Sequence, residues 1–517
     1  MRAPPLSKAL GVVATCVALT GCFQYRKVAV KPVNPRATVV VQSPVRAHLT
    51  DGSTVLFPRG FVLHGDTAVG TAARYAAGSS NAVGISGIVL DSVVGMETFE
   101  TEIREGKTFL VSTVATVVTV AGSIGLLKAI FGSCPTFYSD SAGVSTLEAE
   151  GFSYSIAPLF EHRDLHRLRS TAVRNGIVSL EVRNEALETH YINHLELLDV
   201  AGAPDEYVTP DNRERPLALR GLRPAVSAVD RAGRNVLKTL ELADGDLFGT
   251  DSLTLARAGA GDLDDYIDLE VENPSSADTV VLALRLRNSL LNTVLLYDQI
   301  LGDPGAASLD WIGRDIKRIA NALEMGKWYS SHMGMRVAVR SGNAYTTVAH
   351  IADAGPIAFH DVAVAIPVPR DAKGGRVGVR LSFVADQWRI DQIQVASSYR
   401  RPRYQSVAVS DVVTPDPSQA DRARRELARA DGNYLVTVPS QTFTVRFAVG
   451  DDASQHHTYL LAAQGYYSEW VRGSWIKSAS GRPFRTNDEA LVAALNSWRS
   501  KRGVLERDFY TSRIATR

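Results

Sequence analysis

Short stretches in which apolar and polar residues alternate, each ended by a turn dipeptide, recur through this chain and constrain it to antiparallel sheet. From Ala37 the run ATVVVQSPVRAHLTDGSTVLFPRGFVLHGDTAVGTAARY is punctuated by Asp51-Gly52, Arg59-Gly60 and Gly65-Asp66 at strand-length intervals. Alternation sends every second side chain to one face, and such dipeptides supply the turns between strands. The pattern returns in GIVSLEVR and YINHLELLDV, with Asn184 to Glu188 as the turn between them. It returns again in YIDLEVENP, TVVLALRLRN, MRVAVRSGNAYTTVAHI, VGVRLSFVAD and WRIDQIQVAS, a spacing that suggests sandwiches. Helical spacing interrupts it in SLLNTVLLYDQIL and in SLDWIGRDIKRIANALEMGKWY. In the second run Trp311, Ile312, Ile316, Ile319, Ala320 and Leu323 recur at that spacing, and Ser308 or Asp310 is the expected cap.

One core seldom grows past about 250–300 residues, so a chain of 517 residues divides. The expected fold class is mainly β. Residues 37–105, closed by IVLDSVVGMETFE, form a small N-terminal β-barrel-like domain, and 106–131 a hydrophobic segment. Two or three β-sandwich-type domains with a few helices follow: a β-rich 132–245, a sandwich with a helical insert at 246–400, and a C-terminal β-rich 432–517. Between the last two, 401–431 is a linker carrying the charged helix ADRARRELARA, and NDEALVAALNSWRSKRG closes the chain as a helix. The order DGSTV, GDTAVG, VLDSVVGME resembles small five-stranded SH3-like or Sm-like barrels. Hydrophobic residues at 45% and charged residues at 21% are the balance of a folded chain. Lys plus Arg at 56 against 55 acidic residues leaves no cationic surplus for phosphate backbones, so nucleic acid is not an expected partner.

The first residues carry an address. Arg2 and Lys8 precede an apolar run from Leu10 to Leu19, and Leu19-Thr20-Gly21-Cys22 ends it on a cysteine. This resembles a bacterial lipobox. The resemblance implies export, a signal peptide at 1–21, lipid on the Cys22 thiol, and a tether at 22–36. An ordinary secretory signal and an uncleaved anchor are the other readings. Proteobacterial lipoproteins are held at the inner membrane by an Asp after the cysteine, and Phe23 in that place implies the outer membrane. Residues 109–127, FLVSTVATVVTVAGSIGLL, hold no charge and just reach the length of a transmembrane helix. Their Thr, Ser and Gly content, with Lys128 directly after, equally suits a hairpin-like insertion or a helix buried on another surface. With Cys16 lost and Cys22 lipidated, Cys134 has no partner, and no intrachain disulfide is expected.

Candidate chemistry is sparse. Cys134 is a lone thiol followed by Pro135 with no protease signature, which reads as a packing residue. His162 with His166, and His190 with His194, have the spacing that suits zinc on a helix, yet neither has an HExxH base and the second pair lies in a strand pattern. His456-His457 reads as an exposed loop. Asp262, Asp264, Asp265 and Asp268 cluster without the glycine and terminal glutamate of a calcium loop. Tyr466, Tyr467, Trp470 and Trp475 form the densest aromatic group, suited to stacking on a sugar or a protein partner or to filling a core. No phosphate-binding loop, dinucleotide fingerprint or nucleophile elbow occurs, and no cofactor is expected.

From about Gly132 onward, GSCPTFY, EAEGFSYSIAPLFEHRDL, LEVRNEALETHYINHLELL, LRLRNSLLNT, LSFVADQWRIDQI and GYYSEWV together resemble an uncharacterised family of exported bacterial β-rich proteins with a Ser-Cys-Pro segment. The resemblance implies an extracytoplasmic module and no reaction. The expected function is a lipid-anchored envelope protein, a non-enzymatic binding or structural module with an envelope protein or polysaccharide as partner. The alternatives are an envelope-polymer hydrolase with an unrecognised site, or a subunit of an envelope transport or assembly complex.

Overall fold

The computed structural model describes residues 38–99, 134–141, 143–273, 277–372, 375–450 and 456–509. Cys22 and the uncharged run at 109–127 lie outside the described residues. Among those described, the chain is mainly β, as the alternation predicts.

The first seven strands make one antiparallel sheet in the order Val39–Val41, Phe61–His64, Thr67–Tyr75, Thr54–Phe57, Val45–Leu49, Val93–Thr98, with Ala82–Val89 paired to Thr67–Tyr75. Gly60 shows why its turn needs glycine: φ is +70°, and a Cβ there would lie 1.9 Å from the Val41 carbonyl oxygen. The inward residues, among them Val45, Phe57, Phe61 and Met96, do not form a core of their own. They merge with Leu291, Leu295, Leu309, Met325 and Trp498 from helical segments far along the chain.

Those segments depart from the expected helix. Trp311–Asp315 is wound as a π-turn, the chain breaks, and a helix restarts at Ile319–His332. The break shifts the phase. Ile312 and Ile316 are buried, but Ile319 and Leu323 are 71% and 68% exposed, and Ala322, Met325 and Trp328 face inward instead. Neither Ser308 nor Asp310 caps this helix, whose N-cap position, Arg318, makes no side-chain cap bond. Asp310 instead accepts hydrogen bonds from the Gln42 and Ser43 backbone N–H groups at 3.0 and 2.7 Å, tying the insert to the first sheet.

A sandwich follows. One layer orders Arg223–Pro224, Trp388–Ala396, Thr279–Asn288 and His360–Pro367; the other orders Ser227–Asp230, Asp264–Glu272, Arg376–Val384, Met335–Ser341 and Ala344–Ile351. Leu282, Leu284, Val364 and Ile390 from the first meet Ile267, Leu269, Val379 and Phe383 from the second in a single core. Alternation operates as expected: in Asp264–Glu272 the buried residues are Asp265, Ile267, Leu269 and Val271.

The third body corrects a boundary. Its curled sheet runs His162–Arg167, His456–Glu469, Glu188–Gly202, Gln405–Val413, Thr442–Ala448, Ile177–Arg183, Thr136–Ser141, Val144–Glu150, with Leu435–Thr437 also paired to Glu188–Gly202. The expected unit at 432–517 therefore has no sheet of its own; its strands intercalate among those of 132–245. Strand partners are chosen by which faces must be covered, and that choice is not written in local alternation. Ala423 and Leu427 of the charged helix Ala420–Leu427 plug this sheet's core. The closing helix, Asp488–Phe509, buries Leu491, Ala494, Leu495 and Trp498 in the first core. No helix among the described residues is long and apolar enough to cross a membrane.

Candidate functional site

A cavity of about 140 Å³ lies where the curled sheet meets the helical insert. The helical segments Leu291–Val294 and Leu295–Gly302 supply Asn292, Leu296, Tyr297 and Ile300; helix Ile319–His332 supplies Met325, Gly326 and Tyr329; Tyr154, Phe160 and Tyr467 complete most of the wall. Leu295–Gly302 is wound as a π-helix, a form often found at functional sites. The lining is mostly carbon.

The polar atoms of this wall are largely spent on one another. Asn288 Oδ1 accepts the Ala354 and Gly355 backbone N–H groups at 2.7 and 3.1 Å, which fixes it as an oxygen. Tyr154 O–H then donates to it at 3.0 Å. With that proton committed, Asn292 turns its Nδ2 to the Tyr154 hydroxyl at 3.0 Å and to the Tyr329 hydroxyl at 3.4 Å. Tyr329 donates in turn to Asp353 Oδ2 at 2.7 Å, and Asn288 and Gln387 amides donate to Asp353 Oδ1. The outcome is that Asn292 Oδ1 has no donor among the described residues, in a side chain only 6% exposed. Burial pushes the Tyr154 and Tyr329 hydroxyls well above their ordinary range and raises Asp353.

Behind Tyr297 and Tyr467 lies a buried acidic seam. Glu188 and Glu469 stand directly opposite each other on adjacent strands, and their side chains are hydrogen-bonded partners. Two carboxylates so placed in a dry interior cannot both ionise. Burial pushes Glu188 up to about 8 and Glu469 well above its ordinary value, so the pair holds a proton at neutral pH. Arg472 approaches Glu469 Oε1 at 3.2 Å and lays its guanidinium over the Tyr297 and Trp475 rings. His190 Nε2 sits 2.8 Å from Glu188 Oε1, and burial lowers this imidazole to about 3, leaving it neutral. Neither seam carboxyl lines the cavity.

The sequence candidates go to separate places. Cys134 is fully buried; burial, then the fields of Glu188, Glu150 and Asp164, push its thiol well up, the opposite of nucleophile activation. Cys134→Ala is expected to leave the fold intact at a cost of about 1 kcal/mol, and the native thiol to resist iodoacetamide; rapid labelling of folded protein contradicts this. His162 is exposed and 3.5 Å from Asp164, whereas His166 is buried with His360 Nδ1 at 3.3 Å from its Nδ1. A bulge between Ile192 and His194 turns His194 to the sheet face opposite His190. No group of three or more His, Cys, Asp or Glu among the described residues has metal-holding geometry. His456 and His457 begin a strand instead of forming a loop, and His457 pairs with Asp199 at 2.6 Å. The acidic cluster is dispersed: Asp262 meets Arg231, Asp264 meets Arg336, Asp268 meets Arg380, and Asp265 turns inward to Thr250.

The aromatic group divides likewise. Tyr466 stacks on Tyr191 at 4.5 Å on the outer sheet face, and Trp470 lies flat on His48 at 3.7 Å, joining the curled sheet to the first one. Trp475 packs on Tyr297 at 4.8 Å, one layer behind the cavity, and of the four only Tyr467 lines it. The residues that sequence reasoning passed over are Tyr154, Asn292, Tyr329, Glu188 and Glu469. One signal was available, a glycine at 326 inside a helical pattern.

No family model and no curated protein matches the chain. Among solved structures, similarity extends to BuGH86wt in complex with neoagarooctaose, at 7% identity over 47% of this chain and 34% of that one, with a TM-score of 0.16. It extends also to the cycloalternan-forming enzyme from Listeria monocytogenes, at 10% identity over 70% and 29%, TM-score 0.15. A third is the exo-beta-1,3-galactanase from Phanerochaete chrysosporium, at 8% identity over 69% and 82%, TM-score 0.17. The chain spans about a third of the length of the first two.

Proposed function

We propose that this chain is a lipid-anchored bacterial envelope protein, tethered through Cys22 and destined, by Phe23, for the outer membrane, whose body is a non-enzymatic binding module. The observation that carries the binding half is the cavity walled by Tyr154, Asn292, Tyr297, Tyr329 and Tyr467. It is concave, mostly apolar and built on packed elements, which are the ordinary attributes of a ligand site. The hydrolase alternative needs a carboxyl or nucleophile in contact with the occupant. Glu188, Glu469 and Cys134 do not line the cavity, and that favours binding over cleavage.

The anchor rests on Leu19-Thr20-Gly21-Cys22. Cys22→Ala is expected to abolish fatty-acid labelling and move the protein from the membrane to the soluble fraction. Unlabelled wild type, or a Cys22→Ala variant that stays on the membrane, overturns lipid anchoring as the tether. Capture from the native envelope with the lipidated full chain then identifies the partner, an envelope protein or polysaccharide.

A further inference from the structure

Gly326 breaks a local rule. It lies in the interior of helix Ile319–His332, where glycine is less favourable than alanine because it surrenders more backbone freedom on folding. Nothing steric demands it. Its φ is not in the left-handed region, and a Cβ built there meets no neighbour closer than the Phe160 ring at 3.9 Å. What the missing side chain does is leave space, for Gly326 is part of the cavity wall. A position that forgoes stability to keep a cavity open points to an occupant.

Two further observations set the occupant's chemistry. The cavity, at about 140 Å³, approaches the roughly 150 Å³ of an apolar cavity that holds one benzene. The Tyr154, Tyr329 and Phe160 rings and the Met325 thioether around it suit edge and offset contacts with another ring. Asn292 belongs to the same wall, and its Oδ1 is a buried acceptor without a donor among the described residues, a state that costs free energy until a donor arrives. We propose that the cavity beside Gly326 binds an apolar, ring-sized group bearing one hydrogen-bond donor, the chemistry of a phenol, with the donor directed to Asn292 Oδ1. Gly326 is the residue that sets the size of ring admitted. This deepens the binding-module reading and rests on it.

Phenol, benzene and glucose titrated by calorimetry into the full chain test the idea. Phenol is expected to bind saturably, benzene about tenfold more weakly for want of the donor, and glucose not at all. Gly326→Ala is expected to fold with unchanged or higher Tm and to weaken phenol about tenfold, because the methyl takes space the ring needs. Gly326→Leu is expected to abolish binding, with circular dichroism matching wild type. No saturable phenol binding by wild type, or undiminished binding by a folded Gly326→Leu, overturns the site; equal affinity for phenol and benzene overturns the Asn292 contact. The anchor reading fails on different data, the loss or persistence of fatty-acid labelling, so neither failure can be mistaken for the other.

Discussion

Asp386→Ala is expected to lower unfolding stability by about 3–5 kcal/mol, the cost of stranding a buried partner charge. Asp386 is 1% exposed and serves as the knot between the sandwich and the closing helix. Its Oδ1 accepts from Arg389 Nη1 at 2.8 Å and the Thr250 backbone N–H at 3.2 Å. Its Oδ2 accepts from the Trp498 indole N–H at 2.7 Å and Arg502 Nη1 at 3.2 Å. Removing the carboxylate leaves the largely buried Arg389 with Glu506, whose side chain is partly in water, as its remaining acid partner. It also unties Trp498, the fully buried ring of helix Asp488–Phe509. Urea unfolding followed by tryptophan fluorescence measures the loss, and Asp386→Asn, which keeps the shape and one acceptor, is expected to lose less. A midpoint for Asp386→Ala within about 1 kcal/mol of wild type would remove Asp386 from this role.

The second large effect is a pH dependence from Glu188 and Glu469. Glu188 is held at about 8 in the fold against an ordinary 4.5, chiefly by burial. Between those values the unfolded chain has released the proton that the native pair retains, so unfolding sheds protons and stability falls as pH rises. The contribution is fully present below about 4.5 and is gone above about 8. Glu150, raised to about 7, and Glu214, raised to about 8, add to the same slope, so the test is a difference between variants. Glu188→Gln mimics the protonated form, donating to Glu469 and accepting from His190. It is expected to flatten the decline and to exceed wild type at pH 8.5 by on the order of 3 kcal/mol. A Glu188→Gln profile parallel to wild type across this range would falsify the shared-proton account.

These two sites were invisible in the linear chain for a definite reason. Glu188 ends one predicted turn and Glu469 sits among aromatic residues; nothing near either names the other as its opposite. Asp386 reads as a turn residue between VGVRLSFVA and WRIDQIQVAS, which it is, with φ at +62°, while beside the nearby Arg389 its donors are Thr250 and, from the closing helix, Trp498 and Arg502. The pair His190 and His194 fails for a different reason. A one-residue bulge reverses faces in a strand, and alternation cannot announce a bulge. The tryptophans and tyrosines of QGYYSEWVRGSW could be recognised as a dense group, yet their division between two sheet faces and two cores depended on which surfaces arrived to cover them.

What the amino-acid order determined by itself is whatever a few neighbouring residues can enforce: strands where period two holds, turns where glycine meets a polar residue, the charged helix at 420–427 and the closing helix at 488–509. It determined the mainly β class for the same reason, since alternation is a local energetic demand that each segment satisfies alone. The tertiary structure decided the rest. It threaded His456–Glu469 between His162–Arg167 and Glu188–Gly202, set two carboxyls face to face, and opened the cavity beside Gly326. Those outcomes arise from burying apolar faces against partners distant in the chain, and the free energy of such burial belongs to the assembled core, not to any segment within it.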